Sequence, residues 1–286
     1  MTVRLHTIGI HPVKSTAIRH VLSAHVTRWG VAGDRRWMVV DGDSRMVSAR
    51  ELHALFTITA DTAETIPPAI SALRLSAPGH DPIDVAEPQG DPRPVRLHSH
   101  DLLALPADAG TQAWVRRVLG RDDLTLVWCD DPTRRSLNPS YAQPGDHTAF
   151  ADGYPVTLAS LDSLARLNDW MAEDALQRGE EPIAPLPIER FRPNLVVEGA
   201  EPFAEDGWQR VRIGDVVLRK AKGVDRCVMT TISLLDLTTD KEPVRTLARH
   251  RQWDHKTWFG VQLIPETTGR IEVGDTVQRL RRRVRQ

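Results

Sequence analysis

The segment WQRVRIGDVVLRK, residues 208–220, contains the clearest β-structure signal in the chain. Apolar and polar residues alternate on both sides of Gly214-Asp215, as they do in strands that bury one face. A glycine followed by one further residue is typical of the two-residue type II′ turn that joins antiparallel strands. The segment therefore predicts a β-hairpin.

Short segments of the same kind occur through the N-terminal half and are separated by glycine, proline and aspartate. They show partial alternation of apolar and polar residues and are TVRLHTIGIHP, VLSAHVTRWG, RRWMVVDGDSRMVS, ALRLSAPG and PVRLHSH. Such segments predict strands of a sheet or barrel. The expected fold class is α+β and β-rich.

Helical signals are fewer than strand signals. Residues 110–120, GTQAWVRRVLG, predict one short helix that ends in glycine. Residues 160–179 predict a longer helix, because Ser160 is a suitable N-cap and Gly179 is a suitable end. Between them, apolar residues recur at three- and four-residue spacing, namely Leu161, Leu164, Leu167 and Met171. These helices complete the α+β expectation.

The length of the chain predicts two domains. A chain of 286 residues exceeds the usual size of one domain. Residues 130–147 are rich in Pro, Ser, Asn, Asp and Gly and lack an apolar period, which favours a loop or linker. We therefore expect an N-terminal domain over residues 1–140 and a C-terminal domain over residues 141–286.

Composition excludes several classes of protein. With 37 basic and 38 acidic residues, the formal net charge of −1 gives no reason to expect a nucleic-acid or membrane partner. No segment has the roughly 20 consecutive apolar residues of a membrane span, so a soluble, cytoplasmic protein is expected. Two cysteines cannot form a disulfide framework or a four-cysteine iron–sulfur site. Only the tail, with Arg279 and Arg281 to Arg283, is strongly basic, and a solvated chain end is its expected role.

The two cysteines differ in their surroundings. Cys129 lies in the apolar run LTLVWC, which predicts a buried core residue. Cys227 follows Arg226 in GVDRCVMTT, residues 223–231, and either a small core residue or a reactive thiolate is compatible with that position. His98 and His100 are expected on one face of a strand, but surface histidines are the favoured interpretation because no third metal ligand is near.

Basic side chains recur at the ends of predicted strands. They occur in HPVKST (residues 11–16), GDRRWMVV (33–40), RFRPN (190–194) and DRC (225–227). Arginine offers a rigid fork to phosphate oxygens, lysine a point charge, and serine or asparagine a directional neutral donor. Each segment taken alone favours an ordinary surface ion pair, but together they are what an anionic ligand requires.

Taken in order, these segments resemble the MOSC-domain proteins with an N-terminal MOSC β-barrel, the family of the mitochondrial amidoxime-reducing component and its bacterial counterparts. The resemblance covers nearly the whole chain, and its longest segments are GVAGDRRWMVVDGDSRMVSAR, FADGYPVTLASLDSLARLN and RFRPNLVVEGAEPFAEDGW. A series of matched segments in one order is more specific than any short motif. It implies an N-terminal β-barrel domain and a C-terminal MOSC mixed-barrel domain.

The resemblance also implies a molybdenum cofactor in the cleft between the two halves. In this family the cysteine at the position of Cys227 ligates molybdenum together with the two dithiolene sulfurs of molybdopterin, and a soft thiolate suits that metal. The family's other cofactor contacts correspond here to Lys14, Ser15, Arg35, Ser160, Arg192, Asn194 and Arg226. Binding of pyridoxal phosphate is a further property associated with the family.

The activity implied is reduction of N-hydroxylated small molecules, such as amidoximes and hydroxylamines, with Cys227 as the catalytic metal ligand. Because the chain has too few cysteines for an iron–sulfur cluster, its electrons are expected from a separate protein of the ferredoxin or flavin-reductase kind. The segment after Cys227 lacks the early proline turn of close family members, which leaves the substrate open. Two alternatives remain, namely a molybdenum-cofactor carrier without turnover and a sulfur carrier with a persulfide on Cys227.

Overall fold

The computed structural model of the protein describes residues 2–66 and 72–280. Arg281 to Arg283 of the basic tail lie outside the described residues. The strands, in chain order, are β1 (Arg4–Ile10), β2 (Arg19–Val21), β3 (Ser23–Thr27), β4 (Gly30–Val31), β5 (Trp37–Val40), β6 (Thr59–Asp61), β7 (Leu73–Ala77), β8 (His80–Val85), β9 (Arg93–Leu97), β10 (His100–Pro106), β11 (Thr125–Trp128), β12 (Val156–Ser160), β13 (Leu195–Glu198), β14 (Arg210–Ile213), β15 (Val216–Asp225), β16 (Gln252–Trp253), β17 (Lys256–Pro265), β18 (Gly269–Glu272) and β19 (Val277–Leu280). The helices are α1 (Ala109–Leu119), α2 (Leu161–Gln177) and α3 (Val244–His250).

The chain forms two compact units, and each combines segments that are separate in sequence. The C-terminal unit contains the residues up to Gly9, Leu22–Arg28 and the residues from Val156 onward. The N-terminal unit contains Ile10–Val21 and Trp29–Pro155. The sequence predicts a single division after residue 140, whereas the structure assigns most of β1 to the C-terminal unit. The reason is that β1 pairs with β13 in antiparallel register.

The C-terminal unit contains a sheet in the order β19, β14, β15, β17, β12, β13 and β1. Neighbouring strands are antiparallel except β12 and β13, which run parallel with Leu158 opposite Leu195. Strands β14 and β15 form the predicted hairpin, with Ile213 opposite Val216. Gly214 has a φ of 54°, the left-handed value that the first turn position of a type II′ hairpin requires. The hairpin prediction is confirmed.

Helix α2 buries its apolar face within the C-terminal unit. Ser160 is its N-cap, because Ser160 Oγ accepts a hydrogen bond from the Asp162 N–H at 3.2 Å. Leu164, Leu167 and Met171, which follow the predicted helical spacing, belong to the buried core of this unit. The predicted helix and its cap are therefore confirmed.

The N-terminal unit contains a four-stranded sheet in the order β5, β11, β10, β9 and a three-stranded sheet in the order β6, β7, β8. Helix α1 ends at Gly120, whose φ of 66° forms a left-handed C-cap, as predicted. Cys129 lies in the core of this unit, and burial raises the pKa of its thiol to about 11. The core interpretation of Cys129 is therefore confirmed.

The described residues confirm an α+β, β-rich fold class. In residues 2–66 and 72–280, most of the secondary-structure elements are strands, and three are α-helices. The segment 130–147 contains one short 3₁₀ turn, Pro132–Arg134, and is otherwise irregular, as expected of a loop. In the described parts of the chain, no helix combines the length and the apolar character that crossing a membrane requires.

Candidate functional site

Lys14 lies shortly after β1 and is fixed by strand β5. Its backbone N–H donates to the Trp37 carbonyl at 2.8 Å. The side chain is buried, and Nζ donates to the Phe150 carbonyl at 2.8 Å and to Asp152 Oδ1 at 2.5 Å. Burial lowers the pKa of Lys14 to about 8 against the opposing effect of Asp152. The ammonium group is therefore charged at neutral pH and has a defined direction.

Arg35 is anchored to the same part of the N-terminal unit. Its backbone N–H donates to the His11 carbonyl at 2.7 Å, and its Nη1 donates to Asp34 Oδ2 at 2.5 Å. Burial opposes ionisation of Asp34, but Arg35 and His11 outweigh that effect and lower the pKa of Asp34 to about 2. Arg35 also lies close enough to Lys14 for its charge to lower the pKa of Lys14. The structure thus brings these two predicted cations together.

Three of the predicted residues have left-handed backbone conformations. The φ angle is 71° at Ser15, 49° at Arg35 and 50° at Arg192. Such values are uncommon for residues other than glycine, and they persist only where the surrounding structure holds them. Because conformations of this kind cluster at ligand-binding sites, they favour a functional role for the three segments that carry these residues.

Cys227 is an exposed residue in a fixed segment of the C-terminal unit. The Thr230 N–H donates to its carbonyl at 3.1 Å, which starts the 3₁₀ turn Val228–Thr231. On the other side, the Arg226 N–H donates to the Thr257 carbonyl at 2.8 Å, and Thr257 Oγ1 donates to the Arg226 carbonyl at 3.0 Å. The backbone is therefore held on both sides of an accessible thiol, which can act as a soft metal ligand.

The Arg226 guanidinium connects strand β17 to the loop before β13. Its Nε donates to the Phe259 carbonyl at 2.8 Å, and its Nη1 donates to the Phe191 carbonyl at 2.9 Å. The same group lies over the Phe191 ring, 5.2 Å from the ring centroid. These contacts place the RFRPN loop beside the Arg226-Cys227 segment. Arg226 thus has a structural role in addition to the cofactor contact predicted for it.

Arg190 makes a second link between the same two segments. It is buried, and its Nε donates to the Thr230 carbonyl at 2.8 Å, three residues after Cys227. Arg192 follows the 3₁₀ turn Ile188–Phe191 and donates its backbone N–H to the Glu189 carbonyl at 3.0 Å. The two links therefore bring the loop that carries Arg192 beside the segment that carries Cys227.

Asn194 and Ser160 are fully buried and hold the ends of strands. Asn194 Oδ1 accepts from the Thr157 N–H at 3.1 Å, and Asn194 Nδ2 donates to the Gly9 carbonyl at 3.1 Å. Ser160 Oγ caps α2. These bonds give both residues a structural role, and the cofactor contacts predicted for them stay predictions.

Sequence reasoning missed the acidic partners of the predicted cations. Asp34 and Asp152 occur within the segments GDRRW and FADGYP that carry the family resemblance. An aspartate next to an arginine, as at Asp34, is a signal that could have been used. The pairing of Asp152 with Lys14 could not have been found in this way, because 138 positions separate them.

The two histidines near 100 do not share one strand face as predicted. His98 has a φ of 53° and lies in the turn after β9, whereas His100 begins β10. His98 Nε2 lies 3.0 Å from Asp152 Oδ1. Within residues 2–66 and 72–280, no group of three or more His, Cys, Asp or Glu side chains could hold a metal ion.

Gly260 allows β17 to approach β12 closely beside Arg226. Its φ is 74°, and a Cβ atom there would lie 2.6 Å from the Leu158 carbonyl oxygen and 3.3 Å from Arg226 Nη2. We expect Gly260→Ala to lower the free energy of unfolding by about 2 kcal/mol, because the backbone conformation and the backbone contact both oppose a side chain. Urea unfolding measures this change.

Gly207 provides the matched control for Gly260 in the same unit. Nothing lies within 4 Å of a Cβ atom built at Gly207. Gly207→Ala should therefore change the free energy of unfolding by no more than about 0.5 kcal/mol. Equal losses at the two glycines would contradict the role assigned to the close approach at Gly260.

Comparison with known proteins matches each half of the chain to a domain family. Residues 145–278 match the MOSC domain, and residues 2–122 match the MOSC N-terminal beta barrel domain. The chain is 31% identical to mitochondrial amidoxime reducing component 2 of Rattus norvegicus, over 96% of this chain and 82% of that protein. It is 28% identical to mitochondrial amidoxime-reducing component 1 of Homo sapiens, over 94% of this chain and 81% of that protein. Molybdenum cofactor sulfurase of Arabidopsis thaliana is 29% identical over 91% of this chain, which corresponds to 32% of that protein.

Proposed function

Because the chain belongs to the MOSC-domain family that includes the mitochondrial amidoxime-reducing components, we propose that it is a molybdenum-cofactor-dependent oxidoreductase. The reaction is reductive removal of oxygen from N-hydroxylated compounds such as amidoximes and hydroxylamines. Each turnover consumes two electrons and two protons, breaks the N–O bond and releases water. The electrons come from a separate donor protein of the ferredoxin or flavin-reductase kind, because two cysteines cannot hold a four-cysteine iron–sulfur cluster.

The observation that carries this proposal is the contrast between the two cysteines. Cys227 is exposed and follows a strand end that is held by hydrogen bonds, whereas Cys129 is buried in the core. A single accessible thiol suits a molybdopterin, because the cofactor's two dithiolene sulfurs would supply the other sulfur ligands of the metal. The donor chemistry of the chain therefore fits the cofactor.

The cations of the site fit the phosphate of the same cofactor. Lys14, with a pKa of about 8, is charged at neutral pH, and Arg35 and Arg192 are charged throughout the physiological range. Burying a phosphate without such partners would be costly. The residues proposed to contact the cofactor are Lys14, Ser15, Arg35, Ser160, Arg192, Asn194 and Arg226.

The protein's own residues would bind and orient the reacting group. When bound, the cofactor supplies the two-electron chemistry. Cys227 would hold the metal, and the hydrogen bonds between Arg226 and Thr257 would fix the backbone before that ligand. Arg190 and Arg226 would keep Arg192 beside Cys227 through their bonds to the Thr230 and Phe191 carbonyls. The chain thus contributes geometry and charge compensation.

A carrier function is the second candidate. The similarity to a molybdenum cofactor sulfurase favours it, because that name belongs to a protein that acts on the cofactor itself. In one form the protein would bind the cofactor without turnover, and in another Cys227 would carry a sulfane sulfur for transfer. Both forms use the same exposed thiol.

Metal analysis combined with an activity assay separates these functions. Purified protein is analysed for molybdenum and for sulfane sulfur, and reduction of benzamidoxime by a chemical electron donor is followed. We expect stoichiometric molybdenum and turnover. Molybdenum without turnover would support the carrier, and a sulfane sulfur on Cys227 without molybdenum would support the sulfur carrier.

A further inference from the structure

Asp152 lies among basic side chains of the N-terminal unit. Its Oδ1 accepts from Lys14 Nζ at 2.5 Å and lies 3.0 Å from His98 Nε2. Its Oδ2 lies 3.6 Å from an Arg50 guanidinium nitrogen, and Arg135 Nη2 donates to its backbone carbonyl at 3.0 Å. One carboxylate therefore faces several basic groups, and positive charge exceeds negative charge at this position.

The exposure of the two members of the Lys14–Asp152 pair differs strongly. The Lys14 side chain is 6% exposed, whereas that of Asp152 is 50% exposed. Water therefore cannot solvate the Lys14 ammonium group well, and its charge depends on the Asp152 carboxylate and the Phe150 carbonyl. Asp152 itself remains accessible to solvent and to ligands.

The charges around Lys14 act in opposite directions on its ionisation. Burial lowers the pKa of Lys14 to about 8, Asp152 raises it, and the charges of Arg35 and Arg135 lower it. For Asp152, the partial loss of solvation on its covered side opposes ionisation, but Lys14, His98 and Arg50 hold its pKa well below the usual value. The carboxylate is therefore ionised throughout the pH range in which Lys14 titrates.

We propose that Asp152 is a positioning residue that holds the Lys14 ammonium group charged and directed, and so sets the upper pH limit of anion binding by the N-terminal unit. The inference rests on the proposed function, in which Lys14 contacts the cofactor phosphate. A neutral Lys14 amine would have no charge attraction for an anion. Without the carboxylate, burial and the two arginines would favour that neutral form.

Asp152→Asn tests the role, because asparagine keeps the size and an acceptor oxygen but removes the charge. Titration of Lys14 is followed by NMR in ligand-free protein with labelled lysine, which is practical because the chain has five lysines. Binding of sulfate is measured by calorimetry over the same pH range, since sulfate stays doubly charged there. In the wild type, the Lys14 NMR signal and the sulfate affinity should both change near pH 8, where the pKa of Lys14 lies.

In Asp152→Asn, both midpoints should move to lower pH by at least about one unit. Asp152→Glu restores a carboxylate and should recover most of that shift. Asp84→Asn is the matched control, because Asp84 pairs with Arg74 at 3.0 Å on the exposed surface of the same unit. Asp84→Asn should leave both midpoints unchanged.

The possible failures are distinguishable. An unchanged Lys14 midpoint in Asp152→Asn, or sulfate affinity reduced equally at every pH, would overturn the positioning role and leave the proposed function intact. Wild-type sulfate affinity that does not follow the titration of Lys14 would overturn the inference together with the assignment of Lys14 to the phosphate. Even in that case, turnover of benzamidoxime would still support the proposed reductase activity.

Discussion

We expect Cys227→Ser to reduce molybdenum-dependent amidoxime reduction by at least about 100-fold, because the variant lacks the proposed protein ligand of the metal. The free energy of unfolding should change by less than about 0.5 kcal/mol, since Cys227 is exposed and no core packing is lost. Turnover with a chemical donor, molybdenum content and urea unfolding are measured on the same preparation. Wild-type turnover in the variant would refute the role of Cys227.

Cys129→Ser is the matched control for this experiment. Cys129 is 6% exposed, and burial raises the pKa of its thiol to about 11. A hydroxyl group in this apolar core should cost about 1–3 kcal/mol of unfolding free energy, while molybdenum content and turnover per folded molecule should stay unchanged. The two variants should therefore show opposite patterns of activity and stability.

We expect Glu205→Gln to gain stability relative to the wild type as pH rises. Glu205 is fully buried, and Ser163 Oγ lies 2.8 and 2.9 Å from its two carboxyl oxygens. Burial raises the pKa of Glu205 to about 7 from 4.5, and the Ser163 hydrogen bond opposes that rise. Between these values the folded state binds a proton that the unfolded state does not, so the wild-type free energy of unfolding falls as pH increases.

The size of this effect follows from the two pKa values of Glu205. The difference corresponds to about 3 kcal/mol of stability that is present below pH 4.5 and lost by the time the folded carboxyl ionises above pH 7. Glutamine stays neutral and keeps an acceptor for Ser163. The stability advantage of Glu205→Gln over the wild type should therefore grow by about 3 kcal/mol between pH 4.5 and pH 8.

Urea unfolding across that pH range measures the effect. Glu201→Gln is the control, because Glu201 is an exposed carboxyl in the same segment. Its stability difference from the wild type should be nearly independent of pH. If the stability difference between Glu205→Gln and the wild type were also independent of pH, the pKa of the buried carboxyl would not differ between the folded and unfolded states.

Local features of the fold could be predicted from the sequence because a few neighbouring residues encode them. The turn at Gly214 needs only a glycine between two segments in which apolar and polar residues alternate, because glycine readily adopts the positive φ of 54° found there. The N-cap at Ser160 needs only a side-chain oxygen near the next free N–H groups. Cys129 lies in an apolar run, and the core encloses it. In each case the decisive interactions span a few positions in the chain.

Features of the candidate site that depend on distant contacts could not be predicted. The cofactor contact of Asn194 stays a prediction, but sequence reasoning could not show that its side chain joins Gly9 and Thr157. Sequence reasoning placed His98 and His100 on one face of a strand, whereas His98 has a left-handed conformation in the turn between β9 and β10. It considered Arg190 only as one of the basic groups near strand ends and could not show that Arg190 holds the segment after Cys227.

The sequence by itself therefore determined the β-rich fold class, the family and the identity of the candidate thiol and cations. Only the tertiary structure decided that Cys227 is accessible, that β1 joins the C-terminal unit, and that Asp152 meets Lys14 across 138 positions. The physical reason is that periodicity and turn chemistry act over a few residues. Burial and charge pairing depend instead on strand order, which brings together residues that are far apart in the chain.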